Sequence, residues 1–219
     1  MTERFDELSE RIARLRSPHP PDGVELEDLD PDPFVQFAGW LTTALQAQPD
    51  WPNSMALATA DTEGRPSVRT VLLKSVDEKG FVFFTNKGSR KGREMAANPH
   101  AALVFYWPVL ERQVCVRGRV IDVPDEEADE YFSTRPRGSQ LGAWASEQSQ
   151  PIAERAVLDE RLRSFGERFP TEVPRPSYWG GYRLVPTAFE FWKSRNNRLH
   201  DRFAYLLENE SWTRTRLAP

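Results

Sequence analysis

The sequence is poor in the residues that most often carry covalent or metal chemistry. Its 219 residues include one cysteine, Cys115, which excludes an intrachain disulfide and fits a reducing, cytoplasmic compartment. Cys115 lies in Gln113-Val114-Cys115-Val116-Arg117, which reads as a strand and predicts a buried, inert thiol. The three histidines, His19, His100 and His200, are too widely separated to show metal-ligand spacing, so no metal site is expected. No Ser-His-Asp or Cys-His arrangement can be defended from so few candidates. No long apolar run, signal peptide or transit peptide is present, so no membrane association is expected. An excess of basic charge is missing too. The 29 Lys and Arg against 33 Asp and Glu leave a net charge of −4, so nucleic acid is not an expected partner. Any anion site must be a local concentration of Arg and Lys.

What is present is material for a core. The hydrophobic fraction of 39%, with 13 Phe and 7 Trp, argues against a disordered chain. Residues 3–16 have helical spacing at Phe5, Leu8, Ile12 and Leu15. A Pro- and Asp-rich connector follows, so residues 1–31 are set apart from a domain spanning 32–219. Asp32-Pro33 suits the start of a second helix over 34–48. Strands are predicted over 55–60, 67–74, 81–85, 101–107, 112–123, 181–185, 188–193, 202–208 and 212–217. Helices are predicted over 89–97, 125–134 and 153–169. Meandering strands with short helices between them predict a mainly β fold with α elements, an antiparallel barrel with flanking helices.

Several clusters could carry chemistry. Arg69-Thr70-Val71-Leu72-Leu73-Lys74 is an apolar strand with a cation at each end. Its two cations differ in parity, so either a bulge intervenes or they serve different parts of a site. Thr85-Asn86-Lys87-Gly88-Ser89-Arg90-Lys91 is a strand end and a helix start, with Ser89 as N-cap. Free N–H groups there favour an anion, whereas Arg90 and Lys91 oppose the macrodipole at a cost that a phosphate would offset. Tyr131 to Gln140 gathers aromatics, Arg135, Arg137 and hydroxyls at a helix end and loop, a toolkit for a second phosphate. Arg198-Leu199-His200-Asp201-Arg202-Phe203, read as an extended strand, places Arg198, His200 and Arg202 on one face. That face is either solvated or set against something anionic. Trp192, just upstream, either covers an aromatic ligand or fills core. Separated cationic clusters with aromatics fit a phosphorylated aromatic cofactor and a phosphorylated substrate.

In order and spacing these segments resemble the pyridoxine (pyridoxamine) 5′-phosphate oxidase family. Phe83-Phe84-Thr85-Asn86, Glu111-Arg112-Gln113-Val114, Ser133-Thr134-Arg135-Pro136-Arg137 and Gln140-Leu141-Gly142-Ala143-Trp144 belong to the same ordered set. The resemblance implies an FMN-binding split β-barrel and a homodimer with sites at the subunit interface. It implies FMN held by Arg69, Lys74, Phe84, Thr85, Arg90, Lys91, Gln113, Gln148, Ser149, Trp192 and Arg202. It implies substrate phosphate held by Lys74, Tyr131, Arg135 and Ser139, with Arg198 and His200 as catalytic residues at the substrate ring. The implied reaction oxidises pyridoxamine or pyridoxine 5′-phosphate to pyridoxal 5′-phosphate, with O2 as acceptor and H2O2 as product. Other readings are an FMN oxidase of a different ring, such as a phenazine intermediate, and a non-catalytic binder of flavin or pyridoxal phosphate. Two stretches depart from the family pattern. Arg14-Leu15-Arg16-Ser17 lacks the tyrosine of a basic segment that can close over substrate, and Lys193-Ser194-Arg195-Asn196-Asn197 lacks glycines.

Overall fold

Among the described residues the alternation of apolar and polar residues produces nine strands, all paired antiparallel. They are β1 (Ser54–Ala60), β2 (Pro66–Leu72), β3 (Ser75–Asp77), β4 (Gly80–Asn86), β5 (His100–Trp107), β6 (Arg112–Asp122), β7 (Trp179–Lys193), β8 (Asp201–Glu208) and β9 (Ser211–Leu217). The helices are α1 (Pro33–Ala47), α2 (Arg90–Ala97), α3 (Asp125–Ser133), α4 (Arg137–Ala145) and α5 (Ala156–Arg168). This computed structural model describes Ser9 and residues 11–14, 23–48 and 50–219. Most of the helix predicted over 3–16 therefore lies outside the described residues, as do residues 15–17 of the basic segment. Ser9 and residues 11–13 are helical.

The sheet order is β2-β1-β5-β6-β7-β4-β3, with β8 paired to β7 and β9 to β8. The two ends of that path, β2 and β3, are consecutive in the chain, so the sheet curls back toward its own start. Its inner face is filled by aromatics carried on alternate strand positions. Phe81, Phe105, Phe189 and Phe191 are each no more than 2% exposed. Helix α1 closes this core. Asp32 caps it by accepting from Phe34 N at 2.8 Å, and Pro33 occupies the first turn, where no N–H is needed. Helical spacing then turns Phe37, Trp40 and Ala44 inward. Phe37 sits 4.8 Å from Phe81 and 4.9 Å from Phe105, ring centre to ring centre, and Trp40 lies 5.3 Å from Phe191. Truncating a buried Phe of this kind costs about 3–5 kcal/mol. A second, smaller core of Phe132, Leu141, Val173 and Trp179 lies under α3 and α4. Among the described residues no helix is long and apolar enough to cross a membrane.

Three sequence expectations change. The strands predicted over 181–185 and 188–193 are one strand, β7, because the interruption is a bulge. Arg117 pairs with Ala188 and Gly118 with Pro186, leaving Thr187 as the extra residue. Pro186 has no N–H to give the ladder, and a bulge removes the need for one. Gly118 permits the close approach, since a Cβ there would stand 2.0 Å from the Val185 carbonyl oxygen. The second change is α4, read as loop at its start because Pro136, Gly138 and Ser139 are turn formers. Pro136 instead occupies the N-cap, just before the first helical turn. Third, the stretch before β8 is not extended. Asn196–Arg198 forms a 3-10 turn with Asn197 and Arg198 at φ 59° and 63°, so strand alternation begins only at Asp201. Arg198, His200 and Arg202 are therefore not three successive positions on one strand face.

Candidate active site

A cavity of about 1030 Å³ opens among β2, the end of β4, α3 and α4, and none of its lining residues is acidic. It brings together nine of the residues singled out from the sequence: Arg69, Lys74, Phe84, Thr85, Lys91, Tyr131, Arg135, Ser139 and Gln148. The parity conflict between Arg69 and Lys74 resolves without a bulge. Strand β2 ends at Leu72, and the chain then bends so that Leu73 N donates to Asn53 O and Lys74 N to Val82 O, each at 2.9 Å. Off the strand, Lys74 reaches the same cavity as Arg69.

Arg69 is held rigidly. Its Nη1 donates to Leu57 O at 3.1 Å and to Thr59 Oγ1 at 2.6 Å, and its Nη2 to Ser67 Oγ and, at 3.3 Å, to Glu94 Oε2. Glu94 is 7% exposed and is the hub of this network. Its Oε2 also accepts from Thr59 Oγ1 and Ser67 Oγ, each at 2.5 Å, and its Oε1 accepts from Arg90 Nε at 2.8 Å. Burial pushes the Glu94 carboxyl up. Hydrogen bonds from Ser67, Thr59 and Arg90, with the charge of Arg69, outweigh that and hold it down at about 2. The sequence reading missed Glu94, Ser67 and Thr59. The spacing of Arg90 and Glu94, four apart on one helix, was the available signal.

The start of α2 is capped as its sequence predicts. Ser89 Oγ caps it by accepting from Gly92 N at 3.3 Å. Lys91 is buried and donates to Gln148 Oε1 at 2.7 Å, Thr85 Oγ1 at 3.2 Å and Ser89 Oγ at 3.3 Å. All three are neutral acceptors. Burial, and then the charge of Arg69, lower the Lys91 ammonium to about 8. Arg90 lies outside the cavity lining but is joined to it through Glu94, and its N–H donates to Ser149 Oγ at 3.1 Å. The far side of the cavity is aromatic. Phe84 stacks on Tyr131 at 4.2 Å and on Trp179 at 5.5 Å, and the Arg135 guanidinium lies 4.7 Å above the Trp179 ring. Arg135 Nη1 is buried with no hydrogen-bond partner. An unpaired guanidinium atom in a cavity without carboxylates is what an anionic ligand would complete.

The other predicted residues form a second group, none of which lines that cavity. Gln113, Trp192 and Arg202 face one another across β6, β7 and β8 in direct register and so project from one side of the sheet. Arg202 Nε donates to Glu190 Oε1 at 2.9 Å. His200 packs 4.7 Å from the Trp192 ring, and its Nδ1 accepts from Arg195 N at 3.1 Å. Arg198 stands on the left-handed turn just before it.

Comparison with known proteins explains the order of these segments. Residues 41–165 match the family model described as pyridoxamine 5′-phosphate oxidase. Residues 179–219 match the pyridoxine 5′-phosphate oxidase C-terminal dimerisation region. The chain belongs to the pyridoxine/pyridoxamine 5′-phosphate oxidase family. It is 54% identical over 209 residues to the pyridoxine/pyridoxamine 5′-phosphate oxidase of Paraburkholderia phymatum, covering 95% of this chain and 99% of that protein. The Burkholderia mallei protein of the same name is 54% identical over 211 residues, with 95% and 99% covered. Membership of this oxidase family makes the chain an oxidoreductase.

Solved structures bear out the split β-barrel expected from the resemblance. PhzG from Burkholderia lata 383, solved with tetrahydrophenazine-1-carboxylic acid, superposes with a TM-score of 0.85 at 31% identity, covering 91% of this chain and 99% of that one. A pyridoxamine 5′-phosphate oxidase-related, FMN-binding protein from Nostoc punctiforme shares the fold, with a TM-score of 0.67 at 18% identity over 84% and 97% of the two chains.

Proposed function

We propose that this chain is an FMN-dependent oxidase that converts pyridoxamine 5′-phosphate and pyridoxine 5′-phosphate to pyridoxal 5′-phosphate, with O2 as acceptor and H2O2 as product. The observation that carries the reading is the acid-free cavity in which Arg69, Lys74, Lys91 and Arg135 converge, with Arg135 Nη1 buried and unpartnered. Such a donor set fits two phosphate groups better than one. Arg69, Arg90 and Lys91 would hold the FMN phosphate. Lys74, Phe84, Thr85, Gln113, Gln148, Ser149, Trp192 and Arg202 would hold the rest of the cofactor. Bound FMN supplies two-electron oxidation chemistry with O2 as terminal acceptor.

The chain's own residues supply position and charge. Lys74, Tyr131, Arg135 and Ser139 would grip the substrate phosphate, and Arg198 would orient the ring and stabilise developing charge. With Nδ1 accepting from Arg195 N, a neutral His200 carries its proton at Nε2 and offers a donor there. Because the cavity group and the sheet-face group are separate within one chain, we infer a homodimer whose sites combine the two groups from different subunits. The match of residues 179–219 to a dimerisation region supports this. Cys115 is half-buried rather than buried, on the face opposite Val114 and Val116. That partial burial, then the Glu190 carboxylate, push its thiol up, which fits an unreactive thiol in the cytoplasm.

The likeness to PhzG raises a second reading, oxidation of a phenazine precursor. Tyr131, Arg135 and Ser139 around an anion-poor cavity favour a phosphorylated substrate instead. Oxygen-coupled turnover of both vitamin B6 phosphates, with the absorbance spectrum of the purified protein, tests the proposal. A flavin spectrum with oxygen uptake on either phosphate supports it. A flavin spectrum without uptake on either one refutes the oxidase reading.

A further inference from the structure

Arg198 and His200 stand on a stretch of backbone that needs external support. Asn197 and Arg198 both have left-handed φ. Asparagine takes that conformation readily, whereas a long side chain such as that of Arg198 rarely keeps it without support from its surroundings. Arg195 holds the residues that follow at two points. Its backbone N–H donates to His200 Nδ1 at 3.1 Å, and its Nη1 donates to Asp201 Oδ2 at 3.2 Å. Asp201 is 3% exposed and ties together distant parts of the chain. It also accepts from Val24 N at 3.0 Å and from Arg216 Nη1 at 2.9 Å. Gly23 completes the arrangement. A Cβ on it would stand 1.7 Å from Arg195 Nη1 and 2.5 Å from Arg195 Cζ, so the guanidinium occupies the space a side chain there would need.

We propose that Arg195 is a positioning residue, which fixes the His200 ring and the Arg198 turn by clamping them, through Asp201, to the chain at Gly23-Val24 and to β9. The catalytic part of this proposal rests on the oxidase reading above. The mechanical part does not. Arg195 works from both ends at once: its N–H sets which ring nitrogen of His200 accepts, and its guanidinium keeps that N–H in place. The Trp192 ring at 4.7 Å then fixes the tilt of the imidazole.

The test attacks the clamp from both sides. Arg195→Ala removes the guanidinium, whereas Gly23→Ala displaces it and leaves residue 195 intact. Each should lower kcat/KM for pyridoxamine 5′-phosphate by about ten- to a hundredfold, the penalty of misplacing a reacting group by a fraction of its contact distance. Arg195→Lys, which can still reach Asp201 with a positive charge, should recover most of the loss. In the Arg195→Ala background Gly23→Ala should add less than about twofold, because the clash it creates is gone. Nitrogen NMR of His200 gives a readout that needs no turnover: an accepting Nδ1 in the wild type and mixed tautomers in Arg195→Ala. Wild-type kcat/KM and an unchanged tautomer in Arg195→Ala would overturn the clamp, and so would full additivity of the two substitutions. If the wild type oxidises neither phosphate, the oxidase reading falls. The tautomer and the same cycle measured on thermal stability then still decide the clamp.

Discussion

Glu94→Gln isolates the electrostatics of the cation cluster, because the amide keeps the volume and loses the charge. In the folded chain the carboxyl titrates at about 2, against an ordinary value of 4.5. That separation stabilises the ionised folded form by about 3 kcal/mol at pH 7. The sign follows from the direction of the shift. A depressed carboxyl contributes fully above its unfolded value of 4.5, and the contribution is lost as pH falls toward 2. At pH 3 about 1 kcal/mol remains, because the unfolded chain has already taken up the proton. Urea unfolding at one fixed protomer concentration should therefore find Glu94→Gln less stable by about 2–3 kcal/mol at pH 7, narrowing to about 1 kcal/mol at pH 3. A gap of the same size at both pH values would show that packing, not charge, underlies the effect. No gap at pH 7 would refute the hub role altogether.

Three more expectations follow from the site. FMN affinity, read by quenching of flavin fluorescence, should weaken as pH rises above about 8, where Lys91 loses its proton. Lys91→Met should bind weakly with no such pH step, and a step that persists would assign it to another group. Arg135→Ala should raise KM for pyridoxamine 5′-phosphate about tenfold or more while changing kcat less. Arg135→Lys should recover little, since an ammonium cannot lie flat on Trp179 as the guanidinium does; full recovery would count against the stacked geometry. Assayed well below KM, where both variants are weak, Arg135→Ala and Arg202→Ala chains refolded together should rise to about a quarter of wild-type activity, because about half the dimers are mixed and each of those carries one intact composite site. No recovery despite mixed dimers would place each site within a single subunit.

Much of this architecture is legible in the sequence because its signals are local. Asp32-Pro33 announces α1, Ser89 announces α2, and period-two alternation locates most of the strands. The readings that failed depend on context outside the segment. Pro136-Arg137-Gly138-Ser139 has the composition of a turn, yet Leu141 and Ala145 have a core to meet, so the segment folds as α4. Arg198-Leu199-His200 alternates like a strand, but its backbone is set by the Arg195–His200 and Arg195–Asp201 hydrogen bonds. The cations of the cavity were visible, whereas Glu94 was not, because its partners Thr59, Ser67 and Arg69 come from two strands distant in sequence.

The single extra residue at Thr187 acts as a phase shifter for the whole fold. Before it, even-numbered residues of β7 point inward (Tyr182, Leu184, Pro186); after it, odd-numbered ones do (Phe189, Phe191). Strand β6 beside it keeps one parity throughout, with Val114, Val116 and Val120 all buried. Removing one residue at this point would exchange the inner and outer faces of everything downstream on β7. Phe189 and Phe191 would leave the core, and Trp192 would be driven into it. The outward address of Trp192, and with it the side of the sheet on which Gln113 and Arg202 can join it, is thus written by one bulged residue rather than by any contact those side chains make.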